Sequence, residues 1–388
     1  MSADQAAHDV RRLDLFVTEA CNLACDYCFA ASDGRRRGTI PLLQALHAVD
    51  WLMQSRHPRV HITFWGGEPL LRLDLLRQVS AHARDGARQA DKTLTLSMPT
   101  NATLLTNEAL AWIADNRVQI FLSIDGDPRG RPLASGGSSL PLALAGLERA
   151  MASSMRPAPS VRMTVTPDNA EQQAETVARF QQLGVRELLL YPAMDRPWSA
   201  AALAAFARGQ QALATQYIND PRRPLLKAWR PMLRRLQTGS RRQRQGLPSS
   251  CAAGSALVAL DVRGQFTPCH RFVFYNRDRD TGPTLGSLEH GLDLTATALV
   301  AGLDIRDQHA EDGTPCVRCD LFDLCGYGCP AISFAVTGDP ARVPAAVCQL
   351  MRAQADACRQ VYAALKTATL QDQAAQIGAA AWRRYHEG

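Results

Sequence analysis

Six strand-like runs of apolar and β-branched residues punctuate the first half of the chain. They are RLDLFVT (12–18), VHITFWG (60–66), TLTLSMP (93–99), VQIFLSI (118–124), SVRMTVT (160–166) and VRELLLYPA (185–193). Helix-length segments separate them, at 41–56, 69–90, 106–115, 139–154 and 171–182. No hairpin turn joins consecutive runs, so the strands can pair only in parallel, through helical crossovers. Right-handed crossovers of this kind curl a sheet into a full or partial barrel. Six units are two short of the closed eight-stranded form. That favours an α/β chain with a partial (β/α)6 TIM-like barrel, with an open doubly wound sheet as the competing arrangement.

At 388 residues the chain exceeds one small core. The barrel is expected over 1–198, followed by a helical bridge over 199–250 built from segments 199–218 and 222–245. From residue 251 to 348 glycine, proline and cysteine replace regular periodicity, a texture that needs staples other than an apolar core. A helical tail follows over 349–388. No run of about 18 apolar residues occurs, and the start lacks a secretory pattern, so a cytoplasmic protein without a membrane partner is expected. The net charge of +6 is carried mostly by arginine, clustered at 34–38 and 230–246. No aromatic residues are interleaved there, so nucleic acid is not an expected partner; a solvated face or contact with an acidic peptide fits better.

Eleven cysteines in a chain of this kind argue for metal rather than disulfides. Cys21, Cys25 and Cys28 lie in EACNLACDYCFA, directly after the first strand, at spacings of four and three. In β/α barrels the loops at the C-terminal strand ends surround one mouth, where reactive groups collect. Structural zinc wants four protein ligands, and no fourth stands nearby. Thiolates also suit iron–sulfur clusters, and three of them leave one iron of a cubane unsaturated. The same rim receives WGGEP (65–69), with Gly66 and Gly67 permitting close backbone approach and Glu68 supplying a carboxylate. PTNATLL (99–105) and SIDGD (123–127) end the third and fourth strands there.

CNLACDYC and GGEP resemble the cysteine signature and the SAM-amine motif of the radical SAM superfamily. The resemblance implies that Cys21, Cys25 and Cys28 ligate a [4Fe–4S] cluster whose fourth iron is chelated by S-adenosylmethionine. Reductive cleavage would then yield a 5′-deoxyadenosyl radical, with an external one-electron reductant of the flavodoxin or ferredoxin type. It also implies Phe29 near adenine, Gly66, Gly67 and Glu68 at the methionine amine, and Asn101, Ser123 and Asp125 at the ribose or methionine.

The later cysteines, Cys251, Cys269, Cys316, Cys319, Cys325, Cys329 and Cys348, resemble the seven-cysteine SPASM extension of radical SAM enzymes that modify peptides and proteins. A zinc ribbon within CVRCDLFDLC is the other reading. Two cubanes need eight thiolates. The resemblance implies Cys251, Cys269 and Cys329 on a first auxiliary cluster with an open or non-cysteine fourth position, Leu257 standing near the expected ligand. Cys316, Cys319, Cys325 and Cys348 would close a second, for three [4Fe–4S] clusters in all. Cys358 reads as a packing residue.

Three functions remain open at this level. One is a maturase that crosslinks a ribosomal precursor peptide, a cyclophane-type C–C bond being favoured. Another is formylglycine formation of the anaerobic sulfatase-maturase type. The third is a non-catalytic iron–sulfur electron carrier. Sulfatase-maturases have an aspartate as general base after the equivalent cysteine, where this chain has His270, a departure that favours the first. His270 is thus the expected base, with Tyr275 and Asp278 as weaker candidates. The first strand begins at residue 12, so an N-terminal precursor-binding winged helix is not expected, and the peptide would be bound through the barrel mouth, the cysteine-rich extension or a separate leader-binding partner.

Overall fold

A computed structural model of the chain describes residues 8–30, 38–127, 131–153, 155, 157–239, 252–279, 283–301, 308–325 and 328–366. Strands β1 (Arg12–Thr18), β2 (Arg59–Gly66), β3 (Thr93–Thr100), β4 (Gln119–Ser123), β5 (Ser160–Val165) and β6 (Leu188–Pro192) alternate with helices α1 (Leu42–Met53), α2 (Leu73–Gln89), α3 (Asn107–Asp115), α4 (Leu140–Ala152) and α5 (Gln173–Gln182). Every neighbouring pair among these six strands is parallel. The partial barrel expected from the alternation is therefore the fold. Leu13, Leu15, Phe16 and Val17 of β1 are all fully buried, as a parallel strand with helices on one face and a lined interior on the other requires.

The sheet does not stop at six strands. Its order is β6-β5-β4-β3-β2-β1-β7-β8, where β7 is Leu257–Leu260 and β8 is Phe266–Thr267. β7 runs parallel to β1, Arg12 opposite Leu257 and Leu15 opposite Leu260, and β8 returns antiparallel. The sequence reading of an irregular segment from residue 251 missed this. Only four residues long, LVAL carries no alternation to mark it; its burial comes from the sheet edge it covers. Val258, Leu260, Phe266, Val273, Phe274 and Leu285 enter the same apolar core as the barrel, so apolar packing holds the region to it.

Helix α6 (Ala200–Asn219) follows the barrel, capped by Ser199, whose hydroxyl accepts from the Ala202 amide. A buried amide chain fixes it: Gln210 donates to Gln173, and the Trp229 indole donates to Gln210. Of the 222–245 segment, read as one helix, residues 222–239 form a turn region followed by the shorter α7 (Arg230–Thr238), ended by Gly239 at φ 60°, and 240–245 lie outside the described residues. Further on lie α8 (His270–Arg279), α9 (Leu294–Ala301), α10 (Pro330–Thr337) and α11 (Ala345–Lys366). Cys358 of α11 is buried 3.9 Å from the Met232 sulfur of α7. No described helix is long and apolar enough to cross a membrane.

Leu260 is fully buried beside β1. Leu260→Ala should destabilise the whole chain by about 2–5 kcal/mol, read as one lowered unfolding midpoint. An unchanged barrel transition would show that β7 does not fold with it.

Candidate functional site

The Cys21–Cys28 loop leaves β1 and is held from two sides by backbone. The Gly67 amide donates to the Thr18 carbonyl at 3.0 Å and the Glu68 amide to the Ala20 carbonyl at 2.9 Å. This closeness explains both glycines. A Cβ on Gly66 would stand 2.4 Å from the Thr18 oxygen, and one on Gly67 2.4 Å from the Ala20 oxygen. On the other side, the Ala24 amide reaches the Pro132 carbonyl and the Ala134 amide the Asn22 carbonyl, each at 2.9 Å. GGEP and the cysteine triplet are thus one structural unit.

Side chains complete the hold. The Glu68 carboxylate is fully buried and accepts from the Leu70 amide (3.1 Å), the Thr100 hydroxyl (2.8 Å) and the Asn101 amide (2.7 Å). Burial pushes its pKa up, against those hydrogen bonds. Asn101 donates to Asn22 at 2.8 Å and approaches the Cys21 sulfur at 3.9 Å. Asp125 accepts from the Tyr27 hydroxyl, from Arg131 Nε at 2.9 Å and from the Thr164 amide at 2.9 Å. Arg131 also lies over the Tyr27 ring, 5.5 Å from its centroid. Each of these two carboxylates has three of about four acceptor sites filled within the protein. Cys25 is buried, and burial pushes the Cys21 and Cys25 thiols up to about 11 and about 12.

The later cysteine region meets this loop through α8. Phe29 packs its ring near those of His270 (6.0 Å), Phe274 (5.9 Å) and Tyr275 (6.3 Å), with the Arg271 guanidinium 4.9 Å from its centroid. His270 stacks on Trp65 of β2, centroids 4.0 Å apart and planes 10° apart. Its Nδ1 lies 3.0 Å from Asp14 of β1. Burial lowers the His270 pKa, and the Asp14 bond opposes the shift. Tyr275 donates its hydroxyl to Asp195, which also receives Arg271 Nη1 at 3.0 Å. Asp278 is on α8, but its side chain lies outside the described residues. Ser123 is half-buried at the end of β4, with Arg162 of β5 opposite in register. Arg162 Nε is buried without a hydrogen-bond partner, and burial lowers the guanidinium pKa.

Cys251 lies outside the described residues. Cys269 is buried with Leu257, Phe272 and Ala331, and Cys329 packs against the same group. Cys316, Cys325, Cys329 and Cys348 pack together on Ile332, Val343, Val347 and Met351, and Cys319 lies beside Cys325 on Leu321 and Leu324. Burial, with neighbouring cysteine charge, pushes the Cys316 thiol up to about 12 and Cys348 to about 11. Among the described residues no three His, Cys, Asp or Glu groups converge on a single ion position. One zinc ion would draw its sulfurs within about 3.8 Å of each other, whereas a cubane binds each thiolate through a different iron.

Sequence reasoning did not find Asp14, Tyr27, Arg131, Arg162, Asp195 or Arg271. Two of them left a signal: Asp14 stands between two leucines, and Arg162 is the lone charge of its strand-like run. Gly67→Ala should push the Ala20 backbone out of place, costing about 1–3 kcal/mol. Alkylation of Cys25 in the metal-free chain should then accelerate, while Gly86→Ala on α2, whose Cβ meets only the Met53 side chain at 3.3 Å, leaves it unaltered.

Comparison with known proteins agrees with this geometry. Residues 15–180 match the family description Radical SAM superfamily. GTP 3′,8-cyclase of Tolumonas auensis is 30% identical over 148 residues, covering 37% of this chain and 42% of its own length. The chain spans about two fifths of the length of the curated relatives it matches. The structure of anSMEcpe with bound AdoMet superposes with a TM-score of 0.75 at 17% identity, covering 97% of this chain and 99% of that one; a second anSMEcpe structure also holds a Kp18Cys peptide (TM-score 0.73, 16% identity, 92% and 99%). Streptococcus suis SuiB bound to precursor peptide SuiA gives 0.59 at 14% identity, covering 88% and 76%. The chain therefore carries a radical SAM domain over residues 15–180, on a fold shared from end to end with anSMEcpe.

Proposed function

We propose that the chain is a radical SAM maturase that crosslinks a ribosomal precursor peptide, a cyclophane-type C–C bond being the favoured product. The observation that carries this reading is the cysteine triplet docked on the Gly66–Glu68 rim within a fold shared with peptide-bound structures. When bound, a [4Fe–4S] cluster and S-adenosylmethionine supply the 5′-deoxyadenosyl radical, with electrons from an external flavodoxin or ferredoxin. Cys21, Cys25 and Cys28 hold that cluster. Gly66, Gly67 and Glu68 frame the methionine amine; Asn101, Ser123 and Asp125 line the ribose and methionine side, and Phe29 lies toward adenine. Arg162, whose buried Nε has no hydrogen-bond partner and whose guanidinium lies over the Phe121 ring, would offer a donor to an anionic group of the bound substrate.

Cys251, Cys269 and Cys329 hold a first auxiliary cluster, with Leu257 where a fourth thiolate would stand. Cys316, Cys319, Cys325 and Cys348 hold the second. Of the two hydrogens lost when a C–C crosslink closes, one would go as an atom to the 5′-deoxyadenosyl radical and the other would leave as a proton to His270, its electron passing to an auxiliary cluster. Tyr275 and Asp278 stand on the same helix as secondary candidates. The reading places the enzyme in the cytoplasm.

Anaerobic reconstitution should load about 12 irons per chain, and dithionite with S-adenosylmethionine should release 5′-deoxyadenosine. Cys25→Ala should abolish that release. Substituting Cys251, Cys269 or Cys329 should remove one and the same cluster signal in electron paramagnetic resonance. No 5′-deoxyadenosine from the loaded wild type would overturn the class, and loss of different signals would overturn the ligand grouping.

A further inference from the structure

We infer that Asp14 is a positioning residue for His270: it holds the neutral imidazole with its proton on Nδ1, leaving the Nε2 lone pair toward the barrel mouth as an acceptor for the substrate. That the acceptor serves a substrate rests on the function proposed above; the orientation of the ring does not.

Asp14 sits in the centre of β1 with a fully buried side chain. A buried carboxylate is retained only where donors surround it. Two do so here: Arg12 Nε donates to Oδ1 at 3.2 Å, and His270 Nδ1 lies 3.0 Å from Oδ2. An ionised carboxylate accepts only, so the proton between Asp14 and His270 belongs to Nδ1, and a neutral ring then has its lone pair on Nε2. Stacking on Trp65, nearly face to face, fixes the plane of the ring, and the Asp14 bond selects which nitrogen faces β1. About a quarter of the His270 side chain is exposed, and Nε2 has no protein partner among the described residues.

Arg12 decides what an amide would do in place of the carboxylate. In Asp14→Asn the amide oxygen is the only acceptor and stays with the Arg12 cation. Its NH2 then faces Nδ1 and drives the histidine proton to Nε2. The overall shape is kept while the acceptor at the mouth becomes a donor.

Diethyl pyrocarbonate acylates an imidazole lone pair, so it reads this difference without S-adenosylmethionine or peptide. The loaded holoenzyme is labelled anaerobically at about pH 8, where histidine is neutral, and modified residues are found by peptide mass spectrometry. The exposed His47 and His290 serve as internal rates. Wild-type His270 should be labelled, Asp14→Asn should slow it by about tenfold or more relative to the two standards, and Asp14→Glu, which retains an acceptor, should restore it. Absence of His270 labelling in the wild type, or an equal rate in Asp14→Asn, overturns the assignment. Should Asp14→Asn open the fold, His61, bonded to Ser97 at 2.7 Å, becomes labelled as well. Asp14→Glu then decides: a near wild-type rate at His270 supports the assignment, and its loss overturns it. Failure of 5′-deoxyadenosine release would count against the proposed function alone.

Discussion

The close approach of the Gly66–Gly67 backbone to Thr18–Ala20 is the constraint on which the site depends. It ties the end of β2 to the segment from which the cysteine loop departs, with no room for a side chain between them. Everything downstream inherits that register. The Glu68 carboxylate is delivered to the ends of β3 and the following turn, Asn101 is brought to Asn22 and Cys21, and the loop itself lies across the barrel mouth. Glycine costs conformational entropy in a strand; here the loss is offset by two backbone hydrogen bonds and by burial of the loop.

Buried charge does the remaining work. Glu68, Asp125 and Asp14 are each buried at the strand ends or within the sheet, and each is surrounded by donors from different elements. Such groups contribute little net stability compared with apolar packing, but removing one partner leaves an uncompensated charge. They therefore specify geometry more than they stabilise the fold. Asp125 couples Tyr27, inside the cysteine loop, to Arg131 and β5. Asp195 couples Arg271 and Tyr275 of α8 to the segment after β6. The first cysteine loop and the helix after Cys269 consequently share one set of fixed neighbours, with Phe29 packed between them.

The barrel was legible because each of its strands lies in a strand-like sequence run of seven or more residues bounded by helix-length segments, and the three-dimensional strands begin and end within a few residues of those runs. The cysteine loop and GGEP were legible as chemistry, but their mutual contact was not, because it is made by backbone atoms that no side-chain pattern reports. β7 was illegible for a different reason. LVAL is too short to show a period, and it becomes a strand only because β1 offers an unpaired edge. The roles of Glu68 and Asp125 were read from position alone, as groups facing a ligand; their hydrogen bonds show that both also brace the loop. Asp14 carried a signal in plain view, a charge amid apolar neighbours, whose partner lies on α8 and is invisible to local reading.

The pairing of β7 with β1 also bears on how the chain is made. β1 is synthesised before the other five barrel strands, and residue 257, opposite Arg12 on its second edge, emerges only after the six-stranded portion is complete. Until then one edge of the most buried strand stands unpaired, a hazard for association with other chains. Long-range closure of this kind is slow. The cysteine loop at the end of that strand is therefore made well before the strand that carries it is paired on both edges.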